Sequence, residues 1–160
     1  MILKMPNPIN VLNGLQTELN KGLQVNNCIY DPNYKMRLDK FESGNRFVFM
    51  KIINGVIQTL SIFGTIEPIK NLPCFSIGYA VLEQYRGKGL ALEAMLKGIE
   101  EVKFGLGGLG FQKFYIEAVI DRTNIHSINV AEKLFSCKGK PVVDSETNTP
   151  AYWYLKLIEI

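Results

Sequence analysis

The sequence has few of the residues that build disulfide-linked or metal-bound frameworks. Its three cysteines, Cys28, Cys74 and Cys137, lie far apart and form no CxxC pair, and it has a single histidine, His126. An odd number of separated cysteines argues against a disulfide framework and against a zinc site. It also favours a reducing compartment. We therefore predict no metal ligands in this chain.

Long apolar runs and dense charge of one sign are absent as well. Polar residues interrupt every apolar run before it would span a bilayer, and the start, MILKMPNPIN, lacks the apolar core of a secretory signal. The net charge is only +3, without a run of Lys and Arg, so it does not favour a nucleic-acid partner. These features predict a cytoplasmic protein that binds neither membrane nor nucleic acid.

The size and composition predict one domain with one core. The chain has 160 residues, of which 47% are hydrophobic, and both values are ordinary for a single soluble globule. We find no internal repeat and no low-complexity linker. Residues 1–160 are therefore predicted to form one domain, as a monomer or homodimer.

Hydrophobic periodicity predicts a mixed order of helices and strands. Residues 25–45 read as a loop with a short helix over 31–40, and prolines are predicted to break the chain over 68–73. Asn54-Gly55 is typical of a two-residue hairpin turn. The predicted strands are residues 46–53, 56–63, 75–82, 114–120 and 152–158. The predicted helices are residues 8–24, a stripe that starts near Leu90, and residues 124–135. Hairpins followed by alternating strands and helices predict a mixed α/β sheet.

The most informative stretch is residues 84–91, QYRGKGLA, between a predicted strand and a predicted helix. Glycines let a backbone turn sharply and expose its N–H groups. The first N–H groups of a helix lack internal partners and lie at the positive end of its dipole. A phosphate binds such a site readily, and Arg86 and Lys88 add positive charge. The stretch predicts a phosphorylated ligand.

The spacing Gln84-x-x-Gly87-x-Gly89 resembles the pyrophosphate loop of the GNAT acetyltransferases. A second element, the run from Asn124 through Ser127 to Leu134, resembles the N-x-x-S-x-x-V-x-E-K-L helix of that superfamily. Within it, the similarity is greatest to the branch that acetylates ribosomal-protein N-termini. The resemblance implies a mixed, mostly antiparallel twisted sheet with helices on both faces. It also implies a splayed parallel strand pair at the cofactor site.

The resemblance implies acetyl-CoA as co-substrate and assigns residues to it. The loop would hold the pyrophosphate, the main chain of the preceding strand would pair with the pantetheine arm, and the start of the second helix would border that arm. The residues so assigned are Arg86, Gly87, Lys88, Gly89, Leu90 and Ala91 in the loop, Ala80, Val81 and Leu82 in the strand, and Asn124 and Ser127 in the helix. Asn124 also suits a helix N-cap, and the two roles are compatible.

A second glycine pattern, residues 105–110, matches GxGxxG letter for letter. The dinucleotide fingerprint needs a strand before it and a helix after it. Here a helix is predicted before it and a strand after it. We therefore interpret the segment as the end of a helix and a connector, not as a nucleotide site.

The usual catalytic positions of the family are occupied by other residues. Phe75 and Ser76 stand where many members have a glutamate base, and Ala131 stands where many have a tyrosine acid. Glu117, inside an otherwise apolar strand where a carboxylate is costly unless paired or used, is the remaining candidate base. Tyr79 is predicted to be an auxiliary donor, with core packing as its alternative. An outward-facing strand residue is the alternative for Glu117, and His126 is predicted to be solvated.

Two functions from different classes follow. The first is an N-acetyltransferase whose acceptor is a protein N-terminus or a small amine such as an aminoglycoside, a polyamine or an amino acid. The second is a degenerate module that binds CoA without turnover, favoured by the altered catalytic positions. A third possibility, acetylation of aminoacyl-tRNA, requires a basic face that the modest net charge does not favour.

Overall fold

Residues 5–160 are described by a computed structural model, in which eight strands form one open sheet. The strands are β1 (Asn26–Asn27), β2 (Tyr34–Phe41), β3 (Gly44–Ile53), β4 (Val56–Ile69), β5 (Leu72–Val81), β6 (Lys113–Asp121), β7 (Lys140–Val143) and β8 (Pro150–Glu159). The helices are α1 (Pro8–Asn20), α2 (Leu90–Gly108) and α3 (Ile125–Phe135), with a 3₁₀ turn at Glu83–Tyr85. The strand order is β1-β2-β3-β4-β5-β6-β8-β7.

Two tight turns fold the middle of the chain into a three-stranded meander. Asn54 and Gly55 have φ values of 49° and 77° and join β3 to β4, as predicted. The break predicted over 68–73 is found only at its centre, where Lys70 and Asn71, with φ values of 51° and 62°, make a second hairpin turn between β4 and β5. Both prolines of the range lie in the flanking strands. Pro68 is tolerated because the β4–β5 register is irregular between Ile66 and Ile69, where no ladder donor is needed.

The helix predicted over 31–40 is wrong, because Tyr34–Phe41 forms strand β2 against β3. The run Tyr-Lys-Met-Arg-Leu-Asp alternates apolar and charged residues, which is the strand period of two. This signal outweighs the helix-compatible composition of the segment. The short strand β7, paired with β8, was not predicted.

The sheet has helices on both faces, as the resemblance implied. Leu12 and Leu15 of α1 pack on one face with residues of β3, β4 and β5. Helices α2 and α3 cover the other face, where Met95 and Leu134 belong to the same buried cluster. The apolar stripe of each helix is therefore buried against the sheet, which supplies most of its stability.

Helix α2 runs to Gly108, and β6 begins at Lys113. The glycine pattern at residues 105–110 therefore has a helix before it and a strand after it, as predicted. Helix α2 is also the crossover between β5 and β6, the one parallel pair of the described sheet. No helix within residues 5–160 is both long and apolar enough to cross a membrane.

Candidate active site

The parallel strands β5 and β6 stay together for only three residue pairs. Cys74, Phe75 and Ser76 pair with Tyr115, Ile116 and Glu117, and the ladder ends there. Beyond this point the strands separate, because residues 77–81 of β5 do not pair with residues 118–121 of β6. The separation opens a cleft of about 910 Å³, called the cleft below. It is lined by the end of β5, the loop after it, the starts of α1 and α2, the end of β6, and α3 along its whole length.

The glycine loop forms one end of the cleft. Gly87 and Gly89 both have left-handed backbone, with φ values of 78° and 73°, a conformation that glycine adopts without steric cost. Gly89 is the N-cap of α2 and supplies no side-chain hydrogen bond to the helix. A Cβ atom at either glycine would meet nothing within 4 Å. Gly89, Leu90 and Ala91 all line the cleft, so the first turn of α2 borders it, the arrangement that suits an anion.

The edge of β5 offers main-chain groups to the cleft at alternate residues. The Leu82 N–H donates to the Gln58 carbonyl of the neighbouring segment, at 2.9 Å. Antiparallel alternation then turns the main chain of Ala80 toward β4 and that of Val81 toward the cleft. The Val81 carbonyl accepts a hydrogen bond from Arg86 Nε, at 3.0 Å. Of the three residues predicted to pair with pantetheine, only Val81 turns its main chain toward the cleft.

The start of α3 forms the opposite wall. Asn124 is its N-cap, and Asn124 Oδ1 accepts a hydrogen bond from the Ser127 N–H at 3.2 Å. Ser127 Oγ lies 3.1 Å from the hydroxyl of Tyr79, so this pair spans the cleft from α3 to β5. Burial raises the pKa of Tyr79 above its usual value of 10.0, although Ser127 and Arg86 act in the opposite direction. The Tyr79 hydroxyl is therefore a proton donor at neutral pH.

Glu117 lies at the last paired position before the strands separate. Its neighbours Ile116 and Ala118 are in the buried cluster under α2 and α3, so strand alternation places Glu117 on the face of α1. Glu117 Oε2 accepts a hydrogen bond from Trp153 Nε1, at 3.0 Å. Tyr79, packed against the cluster under α2 and α3, projects from the other face. The two predicted catalytic side chains therefore flank the separation point from opposite sides of the sheet.

The usual catalytic positions of the family are core positions here. Phe75 is 2% exposed, and its ring packs edge to face on those of Phe47 and Phe114. Ala131, on the buried face of α3, is 4% exposed. Neither side chain can transfer a proton.

The cleft brings together most, not all, of the predicted residues. Those that line it are Tyr79, Ala80, Val81, Arg86, Gly87, Gly89, Leu90, Ala91, Asn124 and Ser127. Leu82, Lys88 and Glu117 lie outside its lining. The Lys88 ammonium lies 5.9 Å from the centre of the Tyr85 ring, which leaves it at the loop with its charge near the helix start.

Sequence reasoning missed four contributors. Met5, before α1, and Pro8, its first residue, line the cleft and pack against Gly78, where a Cβ would come within 3.2 Å of Met5 Sδ. His126 is exposed, as predicted, and it also lines the cleft, with its ring 6.4 Å from that of Tyr79. Trp153 reaches Glu117 across 36 positions of sequence. No local pattern indicates such a long-range pair.

The comparison with protein families agrees with this geometry. The family model described as "Acetyltransferase (GNAT) domain" matches residues 33–134, more than half of the chain. The chain therefore belongs to the GNAT acetyltransferase family. No protein with a curated description matches it in sequence.

Solved structures of similar fold include several acetyltransferases. The chain is similar to RimL, a ribosomal L7/L12 alpha-N-protein acetyltransferase in complex with coenzyme A, at 18% identity and a TM-score of 0.54 over 71% of this chain and 62% of that one. It therefore spans less than two thirds of the RimL chain. A GNAT-family acetyltransferase from Streptococcus pneumoniae is 15% identical, with a TM-score of 0.55 over 99% of this chain and 100% of that one. A ribosomal-protein-alanine N-acetyltransferase from Brucella melitensis is 16% identical, with a TM-score of 0.53 over 71% and 69%.

Proposed function

We propose that this protein transfers an acetyl group from acetyl-CoA to a primary amine by direct transfer in a ternary complex. The observation that carries the proposal is the end of the β5–β6 ladder at Ser76 and Glu117, beyond which an open cleft leads to the N-terminus of α2. Acetyl-CoA brings an acyl group that its thioester already activates. Positioning therefore supplies much of the rate.

The cleft has the donors and acceptors that the cofactor requires. Its pyrophosphate would bind to the N–H groups at Gly89 and Leu90. The positive charges of Arg86 and Lys88 would lie beside it. The main chain of Val81 suits the amides of the pantetheine arm, which would pair with β5 as an added strand. Asn124 and Ser127 border the same path from α3.

Glu117 is the residue that we assign as general base. A protonated amine cannot attack, so its proton must pass to a base directly or through one water. Glu117 stands at the separation point on the face of α1, which is also the face where Met5 and Pro8 line the cleft. The amine would therefore approach on that side, with its proton moving to the Glu117 carboxylate.

Tyr79 is the residue that we assign to the leaving sulfur. Cleavage of a thioester leaves a thiolate that gains from a nearby proton donor. The raised pKa of Tyr79 keeps its hydroxyl protonated at working pH, and Ser127 holds that hydroxyl at 3.1 Å. We assign it an auxiliary role, because a thiolate leaves without full protonation.

The acceptor in this proposal is either a protein N-terminus or a small amine. RimL and the Brucella enzyme are described as ribosomal-protein acetyltransferases, and this favours a protein N-terminus. A specific observation also favours a second function, a CoA-binding module without turnover: the positions of Phe75 and Ala131 hold buried apolar residues.

Release of CoA thiol from acetyl-CoA distinguishes these functions. The protein is incubated with acetyl-CoA and a panel of N-terminal peptides, polyamines, aminoglycosides and amino acids, while calorimetry measures CoA binding. Thiol release that depends on one class of amine supports the transferase and identifies the acceptor. Tight CoA binding without acceptor-dependent release favours the binding module. Absence of both contradicts the proposed function.

A further inference from the structure

We infer that Trp153 is a positioning residue for Glu117: its indole N–H holds Oε2 and leaves Oε1 to take the proton of the acceptor amine. The inference rests on the proposed function, since it deepens the role of Glu117 in that site. In the step, the amine N–H bond breaks and the proton passes to Oε1. The nitrogen keeps the electron pair with which it attacks the thioester carbon.

The register of the sheet explains how the two side chains meet. Trp153 of β8 is the Cα partner of Val119, and Glu117 is the Cα partner of Leu155. Trp153 and Glu117 are therefore diagonal neighbours on one face, and an aromatic side chain is long enough to reach across that diagonal. The Nε1–Oε2 distance of 3.0 Å is normal for an N–H···O hydrogen bond.

The hydrogen bond between Trp153 and Glu117 can form in one direction only. An indole N–H can donate but cannot accept a hydrogen bond, so it pairs with the carboxylate as an acceptor. Bonds to an ionised group are about twice as strong as neutral ones. Among the described residues, Glu117 Oε1 has no hydrogen-bond partner, so the pair fixes the carboxylate without using its second oxygen.

The surroundings explain why the carboxylate needs such a partner. Helix α1 does not cover this part of the face, and Val119 and Leu157 are 45% and 37% exposed. Their side chains offer no hydrogen bond that would orient Glu117. From β5, the Cys74 thiol faces the carboxylate, and burial together with the charge of Glu117 raises the pKa of Cys74 to about 12. That thiol therefore stays neutral and adds no competing charge.

The kinetic test compares Trp153→Phe, which keeps an aromatic ring but loses the N–H, with Tyr115→Phe, which removes a hydroxyl from the same face. We expect Trp153→Phe to lower kcat/KM for the amine about tenfold with no change in KM for acetyl-CoA, and the loss to shrink as pH rises. Tyr115→Phe should retain wild-type rates. In a Glu117→Gln background, Trp153→Phe should add no further loss. Losses that multiply would overturn the inference.

A second measurement needs no turnover and does not depend on the folding of Trp153→Phe. Trp153 is the only tryptophan of the chain, so the tryptophan emission reports on its surroundings, which include Glu117. We expect the Trp153 emission at neutral pH to differ between the wild type and Glu117→Gln, because only the wild type places a carboxylate at Nε1. Identical emission from both proteins would overturn the inference. Failure of the proposed function is a separate result, namely no thiol release by the wild type while the difference in emission persists.

Discussion

Arg86 Nε donates a 3.0 Å hydrogen bond to the carbonyl oxygen of Val81, which closes the glycine loop back onto the edge of β5. The bond ties the cation of the loop to the main-chain group that we expect to receive the pantetheine arm. A carbonyl oxygen has two lone pairs, so Val81 can keep Arg86 and accept a second N–H. Arg86 therefore organises the site rather than blocking it.

The first prediction follows from this bond. Arg86→Ala removes both the charge beside α2 and the tie to Val81, and we expect about tenfold weaker CoA binding, about 1.4 kcal/mol, at low salt. Because Arg86 is exposed, screening should reduce the difference at 0.5 M salt. Calorimetry at two salt concentrations measures it. Arg122→Ala, which removes an exposed cation outside the lining of the cleft, should bind CoA like the wild type.

The second prediction concerns Gly89. Gly89→Asp places a side chain and a negative charge in the open space before α2, and we expect CoA affinity to fall at least tenfold, about 1.4 kcal/mol or more. Gly55→Asp is the matched control, because Gly55 has a similar φ of 77° and equally open surroundings but lies in the β3–β4 turn. It should bear a similar backbone cost and keep its CoA affinity. Equal affinity in folded Gly89→Asp and wild type would contradict the loop assignment.

The third prediction uses two glycines of α2. A Cβ at Gly98 would clash with the Phe63 ring and come within 2.7 Å of Ser61 Oγ, whereas one at Gly105 would meet nothing within 4 Å. We expect Gly98→Ala to lower the free energy of unfolding by about 1–3 kcal/mol through overpacking. Gly105→Ala should raise it by about 0.5–1 kcal/mol, the difference in helix propensity. Urea denaturation measures both, and equal effects would show that α2 does not pack as described.

Much of the fold was predictable because its signals are local. The Asn54-Gly55 turn, the stripe of α2 and the apolar strands β5 and β6 each follow from neighbouring residues. The errors arise where pairing between separate segments decides the structure. The segment from Tyr34 to Phe41 becomes a strand because β3 is available to pair with it. The turn at Lys70-Asn71 similarly depends on two strands meeting around it. The secondary-structure propensity of a segment does not show which strand will pair with it.

The candidate site also has a part that local sequence predicts and a part that depends on the tertiary structure. The glycine loop that we propose to hold the pyrophosphate is contiguous in sequence, so its spacing alone predicts it. The pairs Tyr79–Ser127 and Glu117–Trp153 join residues 48 and 36 positions apart, and only the tertiary structure brings them together. The side of β5 that Val81 presents also depends on register, since one residue of slip would reverse it.

The fourth prediction concerns Tyr79 and pH. Since burial raises the pKa of Tyr79 above 10.0, its hydroxyl is mostly protonated below pH 10, and most of its loss as a donor occurs above that. The wild-type pH–rate profile should therefore show no decline near pH 8 that Tyr79→Phe removes. We expect Tyr79→Phe to lower kcat less than tenfold at every pH, the effect of an auxiliary donor. A decline near pH 8 that disappears in Tyr79→Phe would refute this assignment.

The fifth prediction tests the base. Glu117→Gln keeps the shape of the side chain and an oxygen for Trp153 Nε1 but cannot take a proton, so we expect kcat/KM to fall about 10²-fold or more. CoA affinity should not change, because Glu117 lies outside the lining of the cleft. The loss should shrink as pH rises, since the free amine then arrives already neutral. Glu159→Gln removes an equivalent charge from an exposed position of β8 and should leave the rate unchanged. Full activity of Glu117→Gln across the pH range would mean that Glu117 is not the base, and that the amine arrives already neutral or passes its proton elsewhere.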